Sequence, residues 1–170
     1  MSRIILIGFM GCGKSTLGKK LANRLDVPFI DSDKEIEKSH HKTVGEIFGE
    51  YGESGFREME SDFVDSLKEK ESFVLATGGG MPCFNYVIGR LNEIGETFYL
   101  ERSAKELTHR LANAKTKRPL LDSLSEDDLL TFIEERLEER KEHYKKADVI
   151  LSRDEQNVNE MIRLIELLHV

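Results

Sequence analysis

The chain has 170 residues, of which 39% are hydrophobic and 34% are charged, and its formal net charge at pH 7 is −7. This length and composition predict one globular domain over residues 1–170. The acidic balance argues against partners such as nucleic acid or an anionic membrane, whose binders present a basic surface. No stretch approaches the ~20 apolar residues of a membrane span, and no signal peptide is recognised, so we expect a cytoplasmic protein.

Apolar runs alternate with amphipathic segments along the chain, which is typical of a mostly parallel sheet with helices on both faces. Strands are predicted at residues 3–7, 27–30, 73–76, 97–100 and 148–151. The first helix should begin near Gly13 and end by Leu25. Three later helices are indicated by capping boxes, in which an acidic residue follows Ser or Thr by three positions. These pairs are Thr43 with Glu46, Ser103 with Glu106, and Ser125 with Asp128.

Two later segments have no place in the sheet. Residues 134–146 are rich in charges of both signs, which is typical of the solvent-exposed face of a long helix. Residues 113–124 lack clear periodicity and are long for a plain connection in a compact fold. We predict that residues 113–124 form a mobile lid.

Residues 8–15 read GFMGCGKS and match the phosphate-binding pattern GxxxxGK[ST], after a predicted strand and at the start of a predicted helix. Glycines allow backbone N–H groups to face phosphate oxygens, and the helix N-terminus adds partial positive charge. Lys14 is expected to contact the β- and γ-phosphates, and the Ser15 hydroxyl to ligate Mg²⁺. Because no NKxD motif is present and no later apolar strand ends in Asp, we favour a small phosphotransferase over a GTPase or a large ATPase.

The second predicted strand leads into Asp31-Ser32-Asp33. Ligands of doubly wound sheets collect at the carboxyl ends of strands, and side chains two residues apart on an extended chain share a face. Both carboxylates are therefore expected beside the phosphate loop, one near Mg²⁺ and the other accepting a hydrogen bond from the acceptor hydroxyl. The alternative, given equal weight, is that both residues only turn the chain and cap the next helix.

Arg57 also has two interpretations. It lies near the start of a helix in which Phe56, Met59 and Phe63 recur at core spacing. Arg57 could form a surface pair with Glu60, which would contribute little to stability. Alternatively, its guanidinium could bind a ligand carboxylate through two hydrogen bonds, with Glu60 orienting it.

Taken in order, six segments that run through the chain resemble shikimate kinase: GFMGCGKST, DSD, FREME, TGGG, RLANAKTKRPLL and RKEHY. The resemblance implies ATP-dependent phosphorylation of the 3-hydroxyl of shikimate, giving shikimate 3-phosphate and ADP on the route to chorismate and aromatic amino acids. It implies an α/β, three-layer P-loop kinase fold with a five-stranded parallel sheet in the order 2-3-1-4-5 and a lid. The substrate-binding helical region would span about residues 33–61. The implied partners are shikimate and ATP, with Mg²⁺ as cofactor, and a monomer is expected.

The resemblance also implies roles for individual positions. Lys14, Asp33 and Arg118 would be catalytic, with Asp33 the candidate base and Arg118 a lid arginine that moves onto the phosphates. ATP would be bound by Gly11, Cys12, Gly13, Lys14, Ser15, Thr16, Arg110, Arg118 and Arg153. Shikimate would be bound by Asp33, Arg57, Gly78, Gly79, Gly80 and Arg140. Mg²⁺ would be held by Ser15 and, through water, by Asp31.

The three glycines have a physical reason of their own. Without a Cβ atom, their backbone N–H groups could lie directly against the substrate ring. Within the charged run, Arg136 and Lys141 compete with Arg140 for the second carboxylate contact. The Cys12 side chain is not needed for any of these roles, and we expect both it and Cys83 to be free thiols.

Two other functions remain open. One is a related small-molecule kinase that acts on gluconate or a nucleoside monophosphate, although two arginines beside three glycines suit a ring carboxylate better. The other is a nucleotide sensor without catalysis. The sensor is disfavoured because Lys14, Ser15, Asp31, Asp33 and Arg118 are all present.

Overall fold

The computed structural model describes residues 2–114, 121 and 124–168. Five strands form one parallel sheet in the order β2-β3-β1-β4-β5, which confirms the predicted order. The strands are β1 (Arg3–Ile7), β2 (Phe29–Asp31), β3 (Phe73–Ala76), β4 (Glu96–Leu100) and β5 (Val149–Leu151). Strand β1 is buried along four consecutive apolar residues, as expected for a central strand that is covered by helices on both faces.

Seven helices surround the sheet within the described part of the chain. They are α1 (Lys14–Leu25), α2 (Ser32–His40), α3 (Val44–Ser66), α4 (Val87–Ile94), α5 (Ala104–Ala112), α6 (Glu126–Tyr144) and α7 (Val158–Leu168). Short 3-10 turns occur at Leu67–Glu69, Met81–Cys83 and Arg153–Glu155. None of the described helices combines the length and apolar character that crossing a membrane requires.

The helix starts largely follow the predicted caps. The capping boxes at Thr43 and Ser103 are confirmed, with the hydrogen bonds formed in both directions. Ser125 caps α6, because its hydroxyl oxygen accepts the Asp128 N–H. The Asp128 carboxylate accepts the Ser125 hydroxyl hydrogen instead of the Ser125 N–H, so the capping box is incomplete. A further capping box at Ser152 was not predicted.

Four strand boundaries differ from the prediction, one of them the end of β2, which lies at Asp31 rather than at residue 30. Strand β2 begins at Phe29 rather than at residue 27, because the Val27 N–H donates to the Ala22 carbonyl at the end of α1, and Pro28 has no N–H to donate. Strand β4 begins one residue early, at Glu96. Strand β5 begins one residue late, since Asp148 is tied to the sheet by its carboxylate, which accepts the Thr97 N–H at 2.9 Å.

Helix α3 is interrupted at Gly52, whose φ of 68° and ψ of −176° are not helical. The residues after this kink carry Arg57 and Glu60, and Phe56 is buried in the core while Met59 and Phe63 pack against it, as predicted. The half of α3 before the kink is also anchored in the core, by Ile47, while its Phe48 and Tyr51 remain partly exposed.

Candidate active site

The loop between β1 and α1 has the form that the phosphate-binding pattern predicts. Gly13 is the N-cap of α1 and has φ 112°, a left-handed conformation that favours glycine. Lys14 is buried, and its Nζ donates to the carbonyls of Gly8 at 2.7 Å and Phe9 at 2.9 Å. Cys12 is also buried, with its Sγ 3.6 Å from the Lys14 Nζ. The ammonium is therefore held by the loop's own carbonyl oxygens.

A cavity of about 550 Å³ opens in front of this loop. Its walls come from the phosphate loop, the junction of β2 with α2, and the segment that follows β3. The lining residues are Met10, Gly11, Gly13, Lys14, Ser15, Thr16, Asp31, Asp33, Thr77, Gly78, Gly79 and Arg110. The main positions predicted for phosphate and metal contacts thus border one space with three of the predicted acceptor contacts, Asp33, Gly78 and Gly79. The other three, Arg57, Gly80 and Arg140, are not among its lining residues.

The acidic pair reaches this cavity by a different route from the one predicted. The chain does not continue as a strand: Asp31 ends β2 and caps α2, while Asp33 lies in the first turn of that helix. The argument from strand alternation was therefore wrong, and the capping alternative is correct for Asp31, whose carboxylate accepts the Lys34 N–H. Asp31 nevertheless also accepts a hydrogen bond from the Ser15 hydroxyl at 3.2 Å. Capping and a position beside the phosphate loop are compatible.

Asp33 lines the cavity beside Gly78. Its burial raises its pKa, and the negative charge of Asp31 raises it further, while the ammonium of Lys14 acts in the opposite direction. Between the two aspartates, Ser32 is fully buried, and its hydroxyl oxygen accepts the Gly78 N–H at 2.8 Å. No role was predicted for Ser32, although its place inside Asp-Ser-Asp could have indicated one.

Three polar side chains converge on the triple glycine. A Cβ atom on Gly78 would lie 2.7 Å from the Asp33 Oδ1, and one on Gly80 would lie 2.6 Å from the Arg57 Nη2. A Cβ on Gly79 would lie 3.5 Å from the Arg140 Nη1 and 3.2 Å from the Met10 nitrogen. None of the three glycines has a positive φ, so they are required for space rather than for conformation. The predicted reason was room for a ring, whereas the room at Gly78 and Gly80 is used by Asp33 and Arg57.

Arg57 is held on several sides. Its Nη1 donates to Glu60 at 2.7 Å and its Nη2 to Glu53 at 3.1 Å, and the guanidinium carbon lies 4.1 Å from the centre of the Phe84 ring. The Arg57 and Glu60 side chains are only 11% and 2% exposed. The surface-pair alternative is therefore wrong. Burial raises the pKa of Glu60 to about 7, although the hydrogen bond from Arg57 lowers it.

Arg140 is the residue of the charged run that faces the glycines. It lies on α6 with its guanidinium 5.5 Å from the Phe9 ring. Its two competitors are exposed and engaged elsewhere on α6, Arg136 with Glu139 and Lys141 with Glu138. One turn after Arg140, the buried Tyr144 donates its hydroxyl hydrogen to the Gly79 carbonyl at 2.5 Å. Tyr144 was missed, although its spacing of four residues places it on the same helix face as Arg140.

The arginines predicted to contact the nucleotide differ in how closely they border the cavity. Arg110 donates from Nε to the Gly11 carbonyl at 2.7 Å and borders both the large cavity and a second one of about 280 Å³. Arg153 lies in the turn after β5, is 72% exposed and pairs with Glu106 at 3.5 Å, so its connection to the site is weak. Arg118 lies outside the described residues, as does most of the predicted lid.

Comparison with known proteins identifies the family. A family model described as "Shikimate kinase" matches residues 10–168. The chain belongs to the shikimate kinase family. A shikimate kinase of Bacteroides fragilis is 47% identical over 154 residues, which cover 91% of this chain and 86% of that protein.

Solved structures of shikimate kinases have the same fold. The crystal structure of the enzyme from Bacteroides thetaiotaomicron superposes with a TM-score of 0.90 at 43% identity and covers 99% of both chains. The enzyme from Acinetobacter baumannii, solved in complex with shikimate, gives a TM-score of 0.82 at 32% identity, covering 98% of this chain and 93% of that one. Membership of the shikimate kinase family makes the chain a kinase, with ATP as its co-substrate.

Gly78→Ala should lower the kcat of this kinase by about 10- to 100-fold. The added methyl group must displace the short Asp33 side chain, and a displacement of this size at a reacting group costs rate. Gly49→Ala is the matched control, since a Cβ there meets no atom within 4 Å. Coupled ADP release would give the rates, and circular dichroism would confirm that both variants fold. Equal rates for the two variants would show that Asp33 does not need the space at Gly78.

Glu60 should make the stability of the chain depend on pH. Its pKa is about 7 in the folded chain, whereas an ordinary glutamate titrates near 4.5. The folded state therefore holds more protons than the unfolded state between these pH values. The free energy of unfolding should fall as the pH rises through this window, by up to about 3 kcal/mol.

The isosteric change Glu60→Gln removes this titration. Urea unfolding should show the variant gaining stability relative to the unaltered chain between about pH 5 and about pH 8. Glu58→Gln, on an exposed position of the same helix, should follow the unaltered chain at both pH values. A difference for Glu60→Gln that does not change with pH would contradict the raised pKa.

Proposed function

We propose that this chain transfers the γ-phosphoryl group of ATP to the 3-hydroxyl of shikimate, releasing shikimate 3-phosphate and ADP in the route to aromatic amino acids. The observation that best supports this proposal is that the side chains of Asp33, Arg57 and Arg140 all lie close to the three glycines beside the phosphate loop. This arrangement combines two cations and one anion, which match a small ring that bears one carboxylate and several hydroxyl groups. Family membership supports the same substrate.

The acceptor is bound by its charged group. Arg57 and Arg140 bind the shikimate carboxylate, and the backbone of Gly78, Gly79 and Gly80 lies beside the ring. The ion pairs of Arg57 use two of its five N–H groups, so donors remain for the ligand. Asp33 accepts a hydrogen bond from the reacting hydroxyl and holds it toward the phosphate loop.

The nucleotide is bound by the phosphate loop. Backbone N–H groups from Gly11 to Thr16, Cys12 included, contact the phosphates, and the N-terminus of α1 favours their negative charge. Lys14 exchanges its carbonyl partners for β- and γ-phosphate oxygens. Arg110 and, with weaker support from its exposed position, Arg153 are assigned to the nucleobase. Arg118 would neutralise charge on the phosphates from the lid at residues 113–124, and the closed lid would exclude water.

Mg²⁺ fits the donor set at Ser15 and Asp31. A hydroxyl and a carboxylate oxygen lie 3.2 Å apart at the edge of the cavity. The described residues contain no cluster of three His, Cys, Asp or Glu side chains that could hold a metal alone. Such a sparse set suits Mg²⁺, which is usually held by one or two carboxylates together with water and substrate phosphates. The bound ion would neutralise charge on the phosphates, with Ser15 as a direct ligand and Asp31 acting through water.

Asp33 is placed to handle the proton of the reacting hydroxyl. Burial and the charge of Asp31 raise its pKa, which makes the carboxylate a stronger base than an exposed aspartate. Phosphoryl transfer requires alignment and charge neutralisation more than covalent assistance. Asp33, Lys14 and Arg118 supply these through position and charge.

The wider proposal is a cytoplasmic monomer that consists of one domain over residues 1–170, with a substrate-binding region near residues 33–61. It has no nucleic-acid or membrane partner. One continuous core cluster and one sheet within the described residues support a single folding unit. Light scattering coupled to size exclusion would test the monomer.

An acceptor panel tests the reaction. Coupled ADP release would be measured with ATP and shikimate, gluconate or a nucleoside monophosphate, and we expect turnover only with shikimate. Product mass and NMR would locate the phosphate on the 3-hydroxyl. Turnover of gluconate or a nucleotide without shikimate turnover would replace this proposal with another small-molecule kinase. ATP binding without any acceptor-dependent ADP release would favour a sensor.

A further inference from the structure

Phe84 lies against a functional side chain without belonging to the predicted site. It follows the 3-10 turn Met81–Cys83 that continues from the triple glycine. Its ring is 37% exposed, and the guanidinium carbon of Arg57 lies 4.1 Å from the ring centre. This distance is well inside the range of a cation–π contact. The guanidinium that binds the substrate carboxylate in the proposed function therefore lies over the Phe84 ring, and closer to it than to the Phe56 ring at 5.5 Å.

The backbone after Phe84 is strained. Asn85 and Tyr86 have φ values of 49° and 54°, in the left-handed region. Asparagine tolerates this region, whereas an aromatic residue such as Tyr86 seldom adopts it. The turn is closed by a hydrogen bond from the Val87 N–H to the Phe84 carbonyl at 2.9 Å. The Tyr86 side chain is 92% exposed, so packing of that ring does not account for the turn. Such strain persists where the surrounding structure requires it, and functional sites are common examples.

The other sides of the Arg57 guanidinium are already engaged. Glu60 and Glu53 accept hydrogen bonds at its terminal nitrogens, and the backbone of Gly80 lies close enough that a Cβ there would be 2.6 Å from Nη2. These contacts fix the edges of the planar group. A ring on its face fixes the plane without using any N–H group, which leaves donors for a planar carboxylate.

We propose that Phe84 is a positioning residue, which orients Arg57 through its ring face and so favours acceptors with a planar carboxylate. This inference rests on the proposed function. Phe84 acts through Arg57 and does not touch the reacting atoms. Its removal should therefore weaken acceptor binding while leaving the chemical step and the nucleotide site unchanged.

The test begins with the Phe84→Ala variant. Steady-state kinetics should show the KM for shikimate raised about three- to thirty-fold, the range expected for losing a cation–π contact of this kind, with the kcat and the KM for ATP within about two-fold. Phe84→Tyr retains a ring face and should behave as the unaltered chain. Phe84→Leu keeps apolar bulk without a π face and should lie near Phe84→Ala. If Phe84→Ala does not fold, the Phe84→Leu variant tests the inference in its place.

Two further measurements separate this role from a structural one. Tyr86→Asn changes the exposed neighbour to a residue that tolerates the left-handed turn, and it should leave the KM for shikimate unchanged. In an Arg57→Ala background, Phe84→Ala should add less than about two-fold to the KM, because the residue through which Phe84 acts is gone.

The outcomes distinguish the two proposals. Without shikimate turnover by the unaltered chain, the proposed function and this inference both fail. If shikimate is turned over and Phe84→Ala and Phe84→Leu leave its KM unchanged, the inference alone is overturned. An equal fold-change with and without Arg57 also overturns it, since Phe84 would then act on the substrate directly.

Discussion

Asp33→Asn should lower the kcat for shikimate phosphorylation by at least about 100-fold, which is the lower part of the range for removing a catalytic base. The change keeps the size of the side chain and its place in the first turn of α2, beside Gly78. It removes the negative charge that, in the proposed function, accepts the proton of the hydroxyl. The affinity for ATP, measured by calorimetry, should stay within about three-fold because the phosphate loop does not depend on Asp33.

The control for this change is Asp62→Asn, which removes one negative charge from an exposed position on α3. It should leave the kcat unchanged. The unaltered chain should also lose turnover as the pH falls through the raised pKa of Asp33, since the protonated carboxyl cannot accept the proton. A near-normal rate for Asp33→Asn would remove this residue from both acceptor binding and proton transfer.

Arg57→Ala should raise the KM for shikimate by about 100-fold or more. In the proposed function Arg57 pairs with the substrate carboxylate, and truncating one member of such a buried charge pair costs about 3–5 kcal/mol of binding free energy. The variant loses the proposed contact to the substrate carboxylate, and Glu60 loses its ion-pair partner. The KM for ATP should change little. Arg57→Lys should rescue only part of the loss, since an ammonium cannot form the same pair of parallel hydrogen bonds.

Arg136→Ala is the control for the loss of a positive charge. Its side chain is exposed and pairs with Glu139 on the surface of α6, so neither KM should change. Thermal unfolding should be followed for all variants, because Arg57→Ala leaves a carboxyl buried without its partner. Equal rises in the KM for shikimate and for ATP would argue against a carboxylate contact at Arg57.

Much of the fold could be predicted because local signals agree with it. Apolar runs located the five strands, and the glycine pattern, followed by the caps at Thr43 and Ser103, located helix starts. The boundary errors have local causes. Val27 bonds back to the end of α1, and Asp148 pairs through its side chain, and neither choice is visible in hydrophobic periodicity.

The site could be predicted by residue type but not by contact. The sequence motifs indicated Asp33, Arg57 and Arg140. That all three side chains lie against the triple glycine depends on tertiary packing, which the motifs do not contain. Tyr144 and Phe84 were missed for the same reason. An aromatic residue on a helix or after a turn is usually explained by packing alone, so its sequence position does not indicate a role in the site. Whether its ring or hydroxyl meets a functional group is decided by tertiary packing.

The exposed ring of Phe84 has a consequence for changing the acceptor range of this protein. The glycine side of the cavity is closed to redesign, since even one methyl group at Gly78 or Gly80 would overlap Asp33 or Arg57. The Phe84 side is partly open to solvent. Libraries that seek acceptors without a planar carboxylate should therefore vary Phe84 and leave the glycines unchanged, whereas libraries that seek new cyclic acids should keep Phe84.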